Sequence, residues 1–431
     1  MSIVFLFLSL LSILIVLSVP IVYALMFTSW IFFKFGEIPM PIALIGQKLI
    51  MGISSTPLLA IPLFMLAAQI MCNTSLINRL ITFTNSALGS VKSGMAIVNV
   101  VVSMIFAGMS GSSTADTAGA SAMIMNAMIK EGYDRPFSVA VTAASSTIGI
   151  IIPPSIPLVI YAWVSNSSVG VLFLAGIVPG IIIGISQILL CIYKGKIRNY
   201  PSHPRIPFPQ IAKNTYNSIP VLILPLIILG GIFSGIFTPT EAAVVAVFYA
   251  LILSIYLKEF PIKKISKVLV DTAMTSAIAL LLVGITTPFG WILSYNHITD
   301  LIGNWFLSLT TNSTVFLLLV TAFLLALGCI MDIIPIILIT TPIFLPIALT
   351  LGINPIVYGT ILNIALAIGL ITPPVGGCLF VACALGHVSM QEVIGEFLPF
   401  FLVMIITLIL LIFFPQLILY LPLKFMPLSV Y

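Results

Sequence analysis

Ser145-Ser146-Thr147-Ile148-Gly149-Ile150-Ile151-Ile152-Pro153-Pro154-Ser155 has a second version 220 residues on, ending in Ala367-Ile368-Gly369-Leu370-Ile371-Thr372-Pro373-Pro374-Val375-Gly376. At the same offset Gly108 falls on Gly328 and Gly132 on Gly352, without a gap. The upstream partners are Ala107-Gly108-Met109-Ser110-Gly111-Ser112-Ser113-Thr114-Ala115-Asp116 and Leu327-Gly328-Cys329-Ile330-Met331-Asp332. Each copy sets small, polar, helix-breaking residues inside long apolar stretches. A helix interior loses about 1 kcal/mol at Gly and about 3 kcal/mol at Pro relative to Ala. Paired interruptions at corresponding positions of two halves point to a transporter binding site.

The solvent of this chain is lipid. Of its 431 residues 61% are hydrophobic and 6% charged, where a soluble domain carries about 25% charged residues. Long apolar runs without alternation mean helices, because in hydrocarbon every backbone group needs a partner within the protein. Ser2 to Phe33 carries no charge and lacks the basic start and small-residue cleavage site of a signal peptide, so it reads as a retained first span. Apolar segments run near 42–73, 94–109, 113–129 and 157–164, among others. Those of 8 to 16 residues, such as 94–109 and 157–164, are too short to cross alone and read as halves of re-entrant hairpins or broken helices.

Positive charge predicts orientation. The loop 194–213 holds Lys194, Lys196, Arg198, Arg205 and Lys213, and the loop 258–267 holds Lys258, Lys263, Lys264 and Lys267, together nine of the sixteen basic residues. Two spans separate these loops, and both are expected on the cytoplasmic side. The first copy turns at the charged Lys130-Glu131-Gly132-Tyr133-Asp134-Arg135, the second at the uncharged Thr350-Leu351-Gly352-Ile353-Asn354. That contrast suggests opposite entry faces, an inverted repeat. The net charge of +5 reflects topology and contact with anionic phospholipid, not nucleic acid.

The breaks suit a hard cation. Pro153-Pro154 removes two successive amide donors and frees carbonyls upstream, and unwound backbone coordinates ions in transporters. Ser110, Gly149 and Ile152-Pro153-Pro154 supply oxygens in the first copy; Gly328, Gly369, Thr372 and Val375 do so in the second. The plain alternative is a pair of proline kinks that shape packing. Ser112, Ser113, Thr114 and Asp116, with Ser145, Ser146 and Thr147, form a hydroxyl-rich run fit for a carboxylate at helix N-termini, against the alternative of close small-residue packing. Asp116, Glu241 and Asp332 are acids in apolar surroundings and so functional candidates; Asp116 and Glu241 could equally cap helix N-termini.

Other chemistry is missing. There is no P-loop string, and the five cysteines are scattered without a Cys-x-x-Cys, which argues against disulfides or structural zinc. Asp116 and Asp332 as a protease dyad lack any accompanying signature.

Six motifs in order, from Phe106-Ala107-Gly108 through Gly235-Ile236-Phe237-Thr238-Pro239-Thr240-Glu241 to Ile371-Thr372-Pro373-Pro374-Val375-Gly376, resemble the large membrane subunit of tripartite ATP-independent periplasmic (TRAP) transporters across essentially the whole chain. The resemblance implies an all-α polytopic membrane protein, an inverted structural repeat with two re-entrant helical hairpins, organised as an elevator-type scaffold plus transport domain. It implies a transporter subunit rather than an enzyme, in the bacterial inner membrane. It implies co-transport of at least two Na+ ions, held by Ala107, Ser110, Gly149, Ile152 and Pro154 at one site and by Gly328, Gly369, Thr372 and Val375 at the other. Many relatives carry Ser where this chain has Ala107, so contact there must be through the carbonyl. An organic acid, such as a sialic acid or C4-dicarboxylate, would dock between Ser112-Ser113-Thr114 and Pro373-Pro374-Val375-Gly376. The implied partners are a separate small TRAP membrane subunit and a periplasmic substrate-binding protein; the alternative is a stand-alone ion-coupled anion carrier without a binding protein.

The expected division is 1–93 N-terminal scaffold spans and arm, 94–169 first hairpin repeat, and 170–267 scaffold spans with the basic loops. Then follow 268–312 scaffold, arm and linker, 313–390 second hairpin repeat, and 391–431 C-terminal span.

Overall fold

The computed structural model describes residues 9–11, 13–14, 17, 19–35, 43–204, 206–259, 262–296 and 298–427. The opening residues 1–8 of the expected first span, Arg205 of the basic loop and His297 lie outside the described residues. The chain is helical throughout that description. Helices α1 (Ile21–Phe35), α2 (Ala43–Ile53), α3 (Ala60–Cys72) and α4 (Leu76–Leu88) lead into the first copy. That copy comprises α5 (Gly94–Ser110), α6 (Ser113–Ala118), α7 (Ala120–Lys130), α8 (Arg135–Ser146) and α9 (Ile156–Ser165). The middle comprises α10 (Val169–Ile197), α11 (Phe208–Phe233), α12 (Pro239–Tyr256), α13 (Ile262–Tyr295) and α14 (Ile298–Leu309). The second copy comprises α15 (Ser313–Gly328), α16 (Ile333–Thr350), α17 (Pro355–Gly369) and α18 (Gly377–Gly386), followed by α19 (Met390–Phe413) and α20 (Gln416–Phe425).

Among the described residues six helices are each long and apolar enough to cross a membrane, and two sharply bent pairs raise the number of possible spans to eight. One such pair replaces the single segment expected over 42–73: α2 and the stretch 56–72 meet at 63°. The cause is local, since Ser54 turns its hydroxyl onto the Ile50 carbonyl at 2.7 Å and Pro57 starts a new helical turn. The expected segment 113–129 is likewise interrupted, at Gly119, where a Cβ would stand 2.9 Å from the Ala115 carbonyl oxygen.

Two bodies of helices pack together. α2, α3 and α4 lie against α13, α12 and α11, respectively. The two copies pack on each other and on α10 and α19. In each copy the first arm folds back on itself, α5 against α7 and α15 against α16, while the second arm is interrupted, α8 and α9 being separated by residues 147–155 and α17 and α18 by residues 370–376.

Opposite entry of the copies follows from what their turns touch. Tyr200, just beyond α10, donates to Asp134 of the first turn at 2.6 Å, and Arg198 pairs with the same carboxylate at 2.8 Å. The second turn meets the other end: Tyr161 of α9 donates to the Pro355 carbonyl at 2.6 Å, and α9 leads to the start of α10. α10 has 29 residues, which at about 1.5 Å per residue separates its ends by roughly 43 Å. The first turn therefore sits on the basic face and the second on the opposite face. Gly386, at the end of α18, comes back against Val139 near the start of α8, so the broken spans run antiparallel.

Candidate functional site

Both breaks combine a left-handed glycine with a prolyl pair, the two glycines standing on non-equivalent arms. Gly111 ends α5 with φ +62°, and Gly376 opens α18 with φ +47°, backbone that suits a residue without a Cβ. The peptide bonds Pro153-Pro154 and Pro373-Pro374 are both cis. Beyond each prolyl pair the chain bridges back to the interrupted hairpin. The Ile156 amide donates to the Gly111 carbonyl at 3.3 Å, and the Val375 amide to the Cys329 carbonyl at 3.1 Å.

The glycines of the repeat keep backbone close to backbone. A Cβ on Gly369 would lie 2.7 Å from the Gly328 Cα, so α15 and α17 touch main chain to main chain. In the first copy a Cβ on Gly149 would meet the Ser112 carbonyl at 3.4 Å, and one on Gly111 would meet the Pro154 carbonyl at 2.7 Å. Gly108 instead packs on the Pro225 ring of α11. α10 closes over the first break, its Gly176 and Gly180 facing Ile151 and Ile152. Pro153 and Pro154 are buried as a result, whereas Pro374 and Val375 are exposed.

The copies converge on one cavity of about 150 Å³. Its walls are Gly111, Ser112, Ser113, Thr114, Ile150 and Ile156 from the first copy and Asp332, Ile333 and Leu370 from the second. Met65 of α3 and Thr275, Ala279 and Leu282 of α13 complete it. A smaller space of about 40 Å³ continues past the tip to Ser110, Gln69 and Cys72. The Ser112 hydroxyl lies 3.2 Å from the Thr114 hydroxyl and accepts the Ala115 amide at 3.4 Å, capping α6. Asp332 caps α16 through the Ile333 amide at 2.8 Å and is the one formally charged residue in the cavity wall among the described residues. Its direction into a shared cavity is visible only in three dimensions.

Of the expected anion residues, Ser112, Ser113 and Thr114 line the cavity. Asp116, Ser145, Ser146 and Thr147 are buried elsewhere. Asp116 accepts the Ser121 hydroxyl at 3.2 Å, and Ser103 joins Ser121 and Ser145 through contacts of 2.9 and 3.1 Å. Ser146 and Thr147 donate to their own helix at Thr142 and Ala144. Pro373, Pro374 and Gly376 form the second break but not the cavity wall.

Of the expected cation residues, Ala107 and Ser110 end α5, and Gly149, Ile152 and Pro154 form the first break facing it. The Ser110 hydroxyl oxygen is buried and has no hydrogen-bond partner. An oxygen left so in a packed interior costs about 1–3 kcal/mol unless something occupies it. Gly328, Gly369, Thr372 and Val375 come together at the second break, where the Thr372 hydroxyl donates to Ile368 at 2.7 Å and keeps its lone pairs. No group of three His, Cys, Asp or Glu side chains occurs among the described residues. The two breaks themselves present carbonyl and hydroxyl oxygens, the ligand type that hard cations take.

Residues 8–417 match the family model described as the tripartite ATP-independent periplasmic transporter, DctM component. The chain is 35% identical over 378 residues to the sialic acid TRAP transporter large permease protein SiaM of Vibrio cholerae, covering 88% of each. It is 36% identical over 366 residues to the C4-dicarboxylate TRAP transporter large permease protein DctM of Pseudomonas aeruginosa, covering 85% of this chain and 86% of that one. Its fold is similar to the solved structure of the Alcanivorax borkumensis YdaH transporter, with a TM-score of 0.61 at 15% identity over 86% of each chain.

Proposed function

Because the chain belongs to the DctM component of the tripartite ATP-independent periplasmic transporters, a permease subunit and not an enzyme, we propose that it moves a small organic acid anion inward together with sodium. It sits as a multi-pass protein in the inner membrane. The substrate arrives from a periplasmic binding protein, and a separate small membrane subunit extends the scaffold. The basic loops 194–213 and 258–267 face the cytoplasm.

The observation that carries this reading is the meeting of the first break, the Asp332, Ile333 and Leu370 side of the second copy and the α3/α13 wall at one cavity. Two sodium ions, one at each break, order the hairpin tips. The carboxylate then docks at the Ser112-Ser113-Thr114 rim with Asp332 opposite. Sodium offsets both carboxylate charges, so the loaded body crosses with less exposed charge than a half-loaded one. It slides past the α2–α4 and α11–α13 scaffold as an elevator. Net inward positive charge gains about 2.3 kcal/mol per charge per 100 mV.

The test is uptake in proteoliposomes holding this chain and its small subunit, with the binding protein outside. Uptake is expected only with external sodium and loaded binding protein. Equal uptake in potassium alone would refute the coupling, and equal uptake without the binding protein would favour a stand-alone carrier.

A further inference from the structure

We propose that the polar pocket between α4 and α11 on the basic face seats the phosphodiester of a membrane phospholipid. The pocket holds about 170 Å³, apart from the transport cavity and on the scaffold body. Its wall presents the Arg79 guanidinium, the amides of Asn78, Asn214 and Asn217, and the Thr82 hydroxyl. The guanidinium fork, which Glu259 reaches on one side at 3.8 Å, pairs with two oxygens of a singly charged phosphodiester. The asparagine amides supply neutral donors, while the Thr82 hydroxyl donates to the Asn78 carbonyl at 2.8 Å. Arg79 is held in place from behind. Glu259 stands 3.8 Å from it and is itself fixed by the Ser75 hydroxyl at 2.5 Å and amide at 2.9 Å. Ser218 of α11 donates to the Arg79 carbonyl at 2.9 Å, so both walls are tied together.

Depth selects a lipid over a soluble anion. α11 ends at Phe233, and counting back about 20 residues, the thickness of the hydrocarbon core, reaches Asn214. The pocket mouth therefore lies at headgroup level. Tyr216 and Tyr256, 73% and 81% exposed, flank this level as interfacial aromatics do, while Lys213 and Lys258 add positive charge nearby. Below the mouth the outer face of α11 offers exposed Ile219 and Leu226 to acyl chains.

The test uses the full chain purified with its small membrane subunit in detergent and stripped of lipid. Thermal unfolding and native mass spectrometry are followed on adding dioleoyl phosphatidylglycerol, dioleoylglycerol or inorganic phosphate. The phospholipid is expected to raise the unfolding temperature and stay bound, and the other two to do neither. Arg79→Gln and Asn217→Leu are each expected to weaken lipid binding about tenfold. Asn217 is exposed, so its variant reads out binding even if the Arg79 variant folds poorly. Unchanged affinity in Asn217→Leu, or stabilisation by dioleoylglycerol or phosphate equal to that by the phospholipid, would overturn the assignment.

Discussion

The side-chain amide of Asn363 donates to the Ile150 carbonyl at 2.7 Å, across 213 residues of sequence. The same carbonyl accepts the Ser155 hydroxyl at 2.5 Å, so both of its lone pairs are used. Asn363 belongs to the broken span of the second copy and Ile150 to the break of the first. Together with Tyr161 on Pro355, this bond makes the two copies one body around the cavity.

Replacing Asn363 with Leu holds the volume and removes the donor. Ile150 keeps Ser155, so the loss is that of one buried hydrogen bond, about 1 kcal/mol. The unfolding temperature is expected to fall by only about one degree in a chain of this size, and uptake to fall more than that change explains, because the first break loosens. Uptake at the wild-type level would show that the copies are not coupled through this contact.

Gly369→Ala addresses the main-chain crossing. Its Cβ would enter 2.7 Å from the Gly328 Cα, and backbone cannot yield as a flexible side chain does. Overpacking of this kind costs about 1–3 kcal/mol. The expected signature is loss of the sodium-induced thermal shift along with lower stability in potassium. Gly352→Ala is the control for added bulk at a repeat glycine: nothing lies within 4 Å of its missing Cβ, although its φ of +72° predicts a small cost of its own.

Much of this arrangement was legible in the sequence because it rests on backbone requirements. Gly328 and Gly369 align with Gly108 and Gly149, and the second pair crosses main chain to main chain. The 220-residue offset also located both prolyl breaks. What the sequence left hidden depends on the direction of short side chains. Asp116 sits two residues from Thr114, yet it points into the Ser103–Ser121–Ser145 cluster while Thr114 faces the cavity. Gly108 departs from its counterpart by packing on Pro225, a contact that no internal alignment contains. The bend at Ser54 and Ser55 was masked by apolar residues on both sides.

Glu259 gives the scaffold a pH dependence of predictable sign. Burial raises its pKa, but the Ser75 hydroxyl and amide and the Arg79 charge outweigh that and leave it below the usual value. A carboxylate depressed on folding contributes stability that is fully present above its unfolded pKa, about 4.3, and is lost as pH falls through the folded value. Glu259→Gln is therefore expected to cost up to about 1 kcal/mol at pH 6–8, given its partial exposure to solvent. The gap should begin to narrow only as pH falls past the unfolded value of about 4.3 and close once Glu259 is protonated in the folded protein. Thermal unfolding of both proteins across that range checks it, and a gap that widened in acid would contradict the contact.

Ser110→Ala separates cation binding from folding. The Ser110 hydroxyl oxygen is buried and has no partner in the protein, so removing it breaks no internal hydrogen bond and opens space for only one atom. Stability in potassium buffer is expected to stay unchanged or rise slightly, since an unmet polar group disappears. Sodium would lose one of its few side-chain oxygens at the first break, where Ala107 already offers none. The sodium concentration for half-maximal uptake is expected to rise about tenfold, equivalent to about 1.4 kcal/mol, with little change in maximal rate at saturating sodium. Titrating uptake and the sodium-dependent thermal shift together distinguishes the outcomes. A variant less stable in potassium, with unaltered sodium dependence, would make Ser110 a packing residue and move the cation elsewhere.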